Sequence, residues 1–467
     1  MRSSPMAGFV TQLATRFEVP GVAVGIWTKG KEYLVCHGIA DIQQPEPIDA
    51  DTLFLIASVT KTFTATAVMR LVADGRVDLD APVRRYLPDF ALSDEHAAAM
   101  ITVLNLLNHT AGLDWRAHDE PNDAGDALAR YVAALRDQNP VAVPGARASY
   151  SQIGFNLAGR IIEVVTGMPY EQAIDEALLR PLGLEHSTFA PVESITGRVA
   201  KGHNRAPDGS VTVATQWKDT RANNPGGGLA CSVTDLLAWA RFQLGDGSPV
   251  LPRGALARMR TPTTQLVGSS LGDAVAIGWF VRDIGRVSAL CHAGSANGQF
   301  AEVLLIPEQD FAVVTLANCG PDNGLAFNRE IVQAALESVA GVTERTAKVM
   351  RYKRRVAAEY AGVFENDIMR ATFTNTGKAL TAEFAIKPEV RSQASTELPP
   401  DMPAAPVRLL RGPGRPLPGH RWRAQRSARA FHPRRRRAHH RRRHGRTRLH
   451  ANKLTRYPRP VAARFRR

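Results

Sequence analysis

The chain has 467 residues, 44% of them hydrophobic, and a formal charge of +15. That length and composition suit a soluble globular protein with a sizeable core. The charge is unevenly placed: residues 405–467 hold 22 of the 59 Lys and Arg and no Asp or Glu, which leaves the preceding 404 residues at −7. The main body therefore carries no basic signature for nucleic acid.

No apolar run approaches a membrane span, and Met1–Val22 has no apolar core of signal-peptide length. The expectation is a cytoplasmic enzyme without membrane contact, unless the true start lies upstream. Cys36, Cys231, Cys291 and Cys319 are widely separated and lack metal-ligand spacing. They read as buried free thiols rather than disulfides.

In chain order, Gly21–Trp27 and Glu32–Gly38 form a β-hairpin across a polar turn. Phe54–Val59 is a buried strand or turn running into a helix over 62–74, apolar nearly all round, with Gly75 at a plausible C′ position. A proline-punctuated stretch follows over 77–90, then a short helix over 102–107. Helices are expected over 123–136, 154–165, 170–182 and 232–244, the last entered from Gly226-Gly227-Gly228-Leu229. Strands follow at Ala276–Val281, Ser288–His292, Gly298–Ile306 and Phe311–Asn318, and a helix over 325–339. Strands at both ends of this region around a helical middle predict an α/β (α+β) fold: an antiparallel sheet completed by N- and C-terminal strands, flanked by helices, with a helical subdomain inserted.

The chemistry centres on Ser58-Val59-Thr60-Lys61. Three residues apart on a helix, Ser58 and Lys61 share a face. A serine hydroxyl needs its proton removed to attack a carbonyl, and a lysine in a dry site can lose its own proton and do so. The first helical turn also favours an oxyanion at Ser58. Ser-x-x-Lys alone equally fits an N-cap serine followed by a solvated lysine. Here, though, Lys61 is the one charge in the run from Thr52 to Met69.

Ile56–Lys61 resembles the nucleophile motif of the serine β-lactamase and penicillin-binding-protein superfamily. The likeness is greatest to the class C branch, which includes esterases and D-aminopeptidases. His109-Thr110-Ala111-Gly112-Leu113 resembles that family's HTSGL turn, with His109 read as fixing the loop rather than acting as a base. Tyr150-Ser151-Gln152 resembles its Tyr-x-Asn, with Gln in place of Asn. As a tyrosinate beside a lysine ammonium, Tyr150 could also take the serine proton. Cys291-His292-Ala293-Gly294-Ser295 lies where β-lactamases carry Lys-Thr-Gly and esterases or D-aminopeptidases His-x-Gly. There His292 could bind an anion or polarise the tyrosine, and Gly294 lets the strand approach the substrate. Adjacent strand residues face opposite ways, which argues against a Cys291–His292 dyad.

The resemblance implies an acyl-enzyme hydrolase with Ser58 as nucleophile and Lys61 and Tyr150 as proton carriers. The amides of Ser58 and Ser295 would form the oxyanion hole, and Gln152, His292, Gly294 and Ser295 would meet the substrate. No metal or organic cofactor is implied. The Gln152 and His292 departures rank ester or D-amino-acid amide substrates above β-lactams, with a genuine β-lactamase or D,D-carboxypeptidase as the alternative. A different alternative is a non-catalytic binding protein whose basic tail holds nucleic acid.

Three regions are expected: a hydrolase domain over 1–345, a linker and partial β-domain over 346–404, and a tail over 405–467. The tail cannot pack a core and reads as disordered. Its Arg, Pro, Ala, His and Gly are what out-of-frame translation of a GC-rich gene yields.

Overall fold

The computed structural model describes residues 6–115, 124–206, 208–218, 220–266, 269–320, 322–344, 351–365, 369–393 and 401–407. Two compact units divide the chain, one built mainly from residues up to Arg345 and the other mainly from those after it. Residues 408–467, most of the basic tail, lie outside the described residues.

In the first unit the expected hairpin forms as β1 (Gly21–Thr28) and β2 (Lys31–Gly38). β1 then pairs on its other side with a strand nearly 300 residues later, from Val22 against Ala317 to Thr28 against Phe311. With β3 (Phe280–Ile284), β4 (Val287–Ala296), β5 (Gln299–Ile306) and β6 (Phe311–Ala317), the order across the sheet is β2-β1-β6-β5-β4-β3. Ala274–Val275 and Thr264–Gln265 complete eight strands beyond β3. Every β1–β6 neighbour pair is antiparallel.

Strand alternation gives the sheet two apolar faces. Val22, Val24 and Ile26 pack with α1 (Ala7–Arg16) and α5 (Asp322–Ala335). Ala23, Val314 and Leu316 enter the main core with α2 (Thr60–Ala73), α3 (Gln152–Thr166) and α4 (Val233–Leu244). The helical middle is thus inserted between β2 and β3, as the element pattern predicts. No helix among the described residues is long and apolar enough to cross a membrane.

Some elements differ from expectation. Ala276–Val281 is not one strand: the Ala276 amide donates to the Trp279 carbonyl at 2.8 Å, closing a reverse turn. Gly278 sits at φ +74° in that turn, and a Cβ there would lie 2.5 Å from the Ala65 Cβ. The apolar run is buried because α2 covers it, not because it is sheet. The helix expected over 170–182 is interrupted by a π turn at Asp175–Leu179, before Pro181, which has no amide to donate. α1 and the helix Arg253–Arg260 were not foreseen. All four cysteines are free, with Cys36 half-buried and the others buried.

The second unit contains Gly362–Glu365, Met369–Asn375, Leu380–Ile386 and Met402–Val407 as neighbouring strands of a four-stranded sheet. Phe364, Phe373 and Phe384 meet edge to face over Ala371 and Ala382. Residues 405–407, read from sequence as the start of the tail, end the fourth strand instead. Its pairing, Leu380 with Val407 and Thr381 with Pro406, places Pro403 and Pro406 on a sheet edge, where a missing amide is tolerated.

Candidate active site

The nucleophile turn is forced by its neighbours. Ile56 donates its amide to the Leu229 carbonyl at 3.0 Å, ending the short strand Phe54–Leu55. Ala57 then adopts φ +46°, in the left-handed region that disfavours a Cβ. This bend turns the chain into a 3₁₀ turn at Ala57–Val59 that leads into α2. Ser58 is half-buried, whereas Ile56, Ala57, Val59 and Thr60 are buried.

One helical turn on, the fully buried Lys61 has its Nζ 3.1 Å from the Ser58 Oγ. The same nitrogen lies 2.5 Å from the Gln152 Oε1 and 2.6 Å from the Gly226 carbonyl. Burial holds its pKa well below the ordinary lysine value. Neutral, the amine has two N–H donors and one lone pair. The two acceptor-only oxygens take the donors, and the lone pair is left for the Ser58 hydroxyl. The rings of Tyr150 and Phe155 close over it, with centroids 5.1 and 5.6 Å from Nζ.

Tyr150 and Gln152 reach this point because Ser151 caps α3, accepting from the Gly154 amide at 3.1 Å. Burial raises the Tyr150 pKa above its ordinary value, and a hydrogen bond to Ser58 offsets this in part. The phenol therefore stays protonated at neutral pH, contrary to the tyrosinate reading. The lowered pKa belongs to Lys61, so the lysine is the group able to accept the serine proton. Gln152 uses its extra methylene against the glycine loop: a Cβ on Gly226 would lie 1.8 Å from the Gln152 Nε2.

His109 lies under this cluster, at φ +60°. Its Nδ1 accepts from the Ser151 amide at 3.1 Å and its carbonyl from the Ser149 amide at 2.7 Å. Its ring centroid is 4.5 Å from that of Tyr150. It fixes the segment that carries Tyr150, as the sequence reading had it.

The third motif arrives on β4. His292 and Gly294 fall on the sheet face toward α2, and Cys291 packs on the opposite face with Leu304, so no Cys–His dyad forms. His292 is 2% exposed and its ring lies 6.4 Å from that of Tyr150. Its Nδ1 is 2.8 Å from the Ala293 carbonyl. Burial, with Lys61 nearby, lowers its pKa to about 3, so the ring is neutral. Gly294 is required by close approach: a Cβ there would lie 2.1 Å from the Ile56 oxygen and 3.1 Å from the Ser58 amide nitrogen. Ser295 follows at the exposed end of the strand.

The structure therefore gathers Ser58, Lys61, Tyr150, Gln152, His292 and Gly294, with Ser295 the next residue along β4. Sequence reasoning missed the Gly226 carbonyl and the Phe155 and Phe280 rings, the last 5.4 Å from His292. A backbone acceptor leaves no side-chain signature, and the run Asn223–Gly228 was its only trace. Among the described residues no cluster of three His, Cys, Asp or Glu is placed to hold a metal ion.

A serine flanked by a desolvated lysine and a tyrosine, where inserted helices meet an antiparallel sheet, defines a β-lactamase-like protein. Residues 6–337 match the Beta-lactamase family, and the chain belongs to it. Members of this fold family are serine hydrolases that work through an acyl-enzyme. Penicillin-binding protein 4 of Amycolatopsis lactamdurans is 31% identical over 341 residues, 71% of this chain and 88% of that protein. Protein flp of Staphylococcus aureus is 27% identical over 64% of this chain and 60% of its own length. Among solved structures, SurE superposes with a TM-score of 0.67 at 26% identity, covering 82% of this chain and 90% of SurE. A class C beta lactamase from Rhodobacter sphaeroides gives 0.60 at 26% identity, over 71% of this chain and all of that one.

Proposed function

We propose that this protein cleaves esters or D-amino-acid-type amides through an acyl-enzyme on Ser58. The observation that carries the reading is the buried Lys61, whose Nζ has two carbonyl oxygens for its donors and the Ser58 hydroxyl 3.1 Å away for its lone pair. Neutral Lys61 takes the serine proton as Ser58 Oγ attacks the carbonyl. Tyr150, held as a phenol against Ser58, donates to the departing group and recovers its proton from the Lys61 ammonium. The amides of Ser58 and Ser295 flank the developing oxyanion, brought together by the close passage of Gly294. Water then attacks the acyl-enzyme by the same proton route.

Two features support esters or D-amino-acid amides over β-lactams: a neutral His292 in the third motif, and a Gln152 already engaged with Lys61. A structure of SurE, which this chain resembles at 26% identity and a TM-score of 0.66, is described as holding D-Leu. The test is a fluorophosphonate probe followed by aryl esters, D-alanyl amides and a chromogenic cephalosporin assayed side by side. Ser58→Ala is expected to lose both label and turnover while melting as the wild type does. Turnover above a trace in that variant would overturn the nucleophile assignment.

A further inference from the structure

The Gly226 carbonyl, one of the two oxygens that occupy the Lys61 amine, stands in a segment that cannot hold itself in place. Asn224–Gly227 is a single helical turn, and Pro225 is followed by Gly226, Gly227 and Gly228. One turn gains too few hydrogen bonds to offset the ordering of its residues, and glycine loses more freedom on ordering than any other residue. With no side chains from 226 to 228, this carbonyl is placed by what grips residues 221–225.

The grip comes from two adjacent residues at the start of the helix Tyr170–Ile174. The Tyr170 hydroxyl bonds Thr64 Oγ1 at 2.7 Å, and that hydroxyl donates to the Pro225 carbonyl at 2.6 Å. Glu171 holds the rest. Its Oε1 accepts from Asn224 Nδ2 at 2.7 Å and from Arg221 Nε at 3.1 Å, and its Oε2 from Arg221 Nη2 at 2.8 Å. Arg221 opens the 3₁₀ turn Arg221–Asn223 that runs straight into Asn224, and its Nη1 donates to the Ala124 carbonyl at 2.6 Å. A two-pronged guanidinium–carboxylate pair fixes direction as well as distance.

The pair is mostly withdrawn from solvent, its Arg221 and Glu171 side chains 20% and 23% exposed. Burial favours the neutral acid, but the bonds from Arg221 and Asn224 outweigh it and hold Glu171 below the ordinary carboxylate range. The clamp is therefore charged at neutral pH. What lowers the Lys61 pKa is burial, so Glu171 acts on the lysine by placement rather than by its field.

We propose that Glu171 is a positioning residue: through Arg221 and Asn224 it fixes the glycine turn, so that the Gly226 carbonyl takes a Lys61 N–H and the lone pair is aimed at Ser58. This rests on the Ser58 acyl-enzyme reading and adds to it a residue that touches neither substrate nor nucleophile. Displacing the carbonyl turns the lone pair away from the hydroxyl and leaves the groups that meet the substrate where they were.

The experiment follows fluorophosphonate labelling of the full chain, in which Ser58 Oγ displaces fluoride from phosphorus and its proton passes to Lys61. The dependence of rate on probe concentration separates the maximal labelling rate from the half-saturating concentration. Glu171→Ala is expected to lower the maximal rate about 10- to 100-fold, the scale of a misplaced catalytic group, with half-saturation unchanged. Glu171→Gln keeps an acceptor for Asn224 Nδ2 but not the ion pair with Arg221, and should fall between Glu171→Ala and wild type. Melting curves establish that each variant is folded; should Glu171→Ala not fold, Glu171→Gln decides alone. A wild-type maximal rate in the folded variants, or a loss confined to half-saturation, leaves Glu171 a structural residue only and overturns the proposal. A wild type that takes no label overturns the serine reading itself, so the two failures are distinguished.

Discussion

Two helices of equal length, α2 and α5, each 14 residues, show what the molecule fixes loosely and what it fixes tightly. α5 lies on the sheet by a stripe of Phe327, Ile331, Val332 and Ala335, with Leu325 and Arg329 exposed on its other side. Its hold is mainly apolar burial, which has no direction, with one bond from the Asn323 Nδ2 to the Phe17 carbonyl at 2.6 Å and a surface Arg16–Glu330 ion pair beside it. α2 is buried from Thr60 to Met69, and half of that stretch is polar. Each hydroxyl is tied to an element other than α2, two of them to α4. Thr60 accepts from the Leu229 amide at 3.2 Å, and Thr62 from the Trp239 Nε1 at 3.0 Å. Thr64 bonds the Tyr170 hydroxyl at 2.7 Å and the Pro225 carbonyl at 2.6 Å, and Thr66 accepts from the Gln243 Nε2 at 3.1 Å. Directional bonds on several sides set the rotation and height of a helix; apolar packing alone tolerates small slips. The difference teaches that the helix carrying Lys61 and following Ser58 is positioned from several sides, whereas α5 is held mostly by its apolar stripe.

Lys61→Met keeps the volume of the buried chain and removes the amine, and should lower turnover by about 10² to 10⁴-fold, the scale of a general base. The wild-type pH profile sharpens the same point. Activity needs the neutral amine, and burial has lowered its pKa, so kcat/KM should rise with pH through a value well below 10.5. A rise centred at the ordinary lysine value would show the site is wetter than its burial implies.

On the other helix, Ile331→Ala should cost about 2–5 kcal/mol of stability through a core cavity. Turnover of the protein that remains folded should stay at the wild-type value. A matching fall in kcat at a temperature where the variant is folded would break the contrast between the helices.

Thr64→Val is nearly isosteric and removes two directional bonds. It is expected to cost about 1–3 kcal/mol, and to reduce kcat several-fold, because Pro225 precedes the Gly226 carbonyl that holds Lys61. Loss of stability with kcat intact would show that this bond does not position the site.

The smallest effect is Ala57→Gly. It relieves the φ of +46° and should raise stability by up to about 1 kcal/mol, read as a higher melting temperature. A lower melting temperature would mean the turn is unstrained.

Much of this was legible in the sequence, for identifiable reasons. Ser58, Lys61, Tyr150 and His292 carry their chemistry in side chains at short spacings, so the letters report it directly. The sheet was legible because β1, β5 and β6 are apolar runs between turn residues. The threonines of α2 were passed over because a buried hydroxyl and a surface one are the same letter; only partners such as Trp239 and Gln243, some 177 residues away, distinguish them. The turn at Ala276–Trp279 was misread because burial beneath α2 makes a loop as apolar as a strand. Choosing between the two bases the sequence allows, a neutral lysine and a tyrosinate, needed the depth of both groups, which no spacing reports.

The pairing of β1 with β6 has a consequence for biosynthesis. The N-terminal hairpin leaves the ribosome early, yet the partner for its open edge is made only when residues 311–317 emerge. At about 5–20 residues per second the wait is roughly 15–60 s. For that interval Val22, Val24 and Ile26 stand on a strand paired on one side only and rich in β-branched residues, the kind of open edge that recruits a foreign strand. Nascent chains halted before Ala317 should therefore be held by chaperones or aggregate, and ligands of the finished site would come too late to help them.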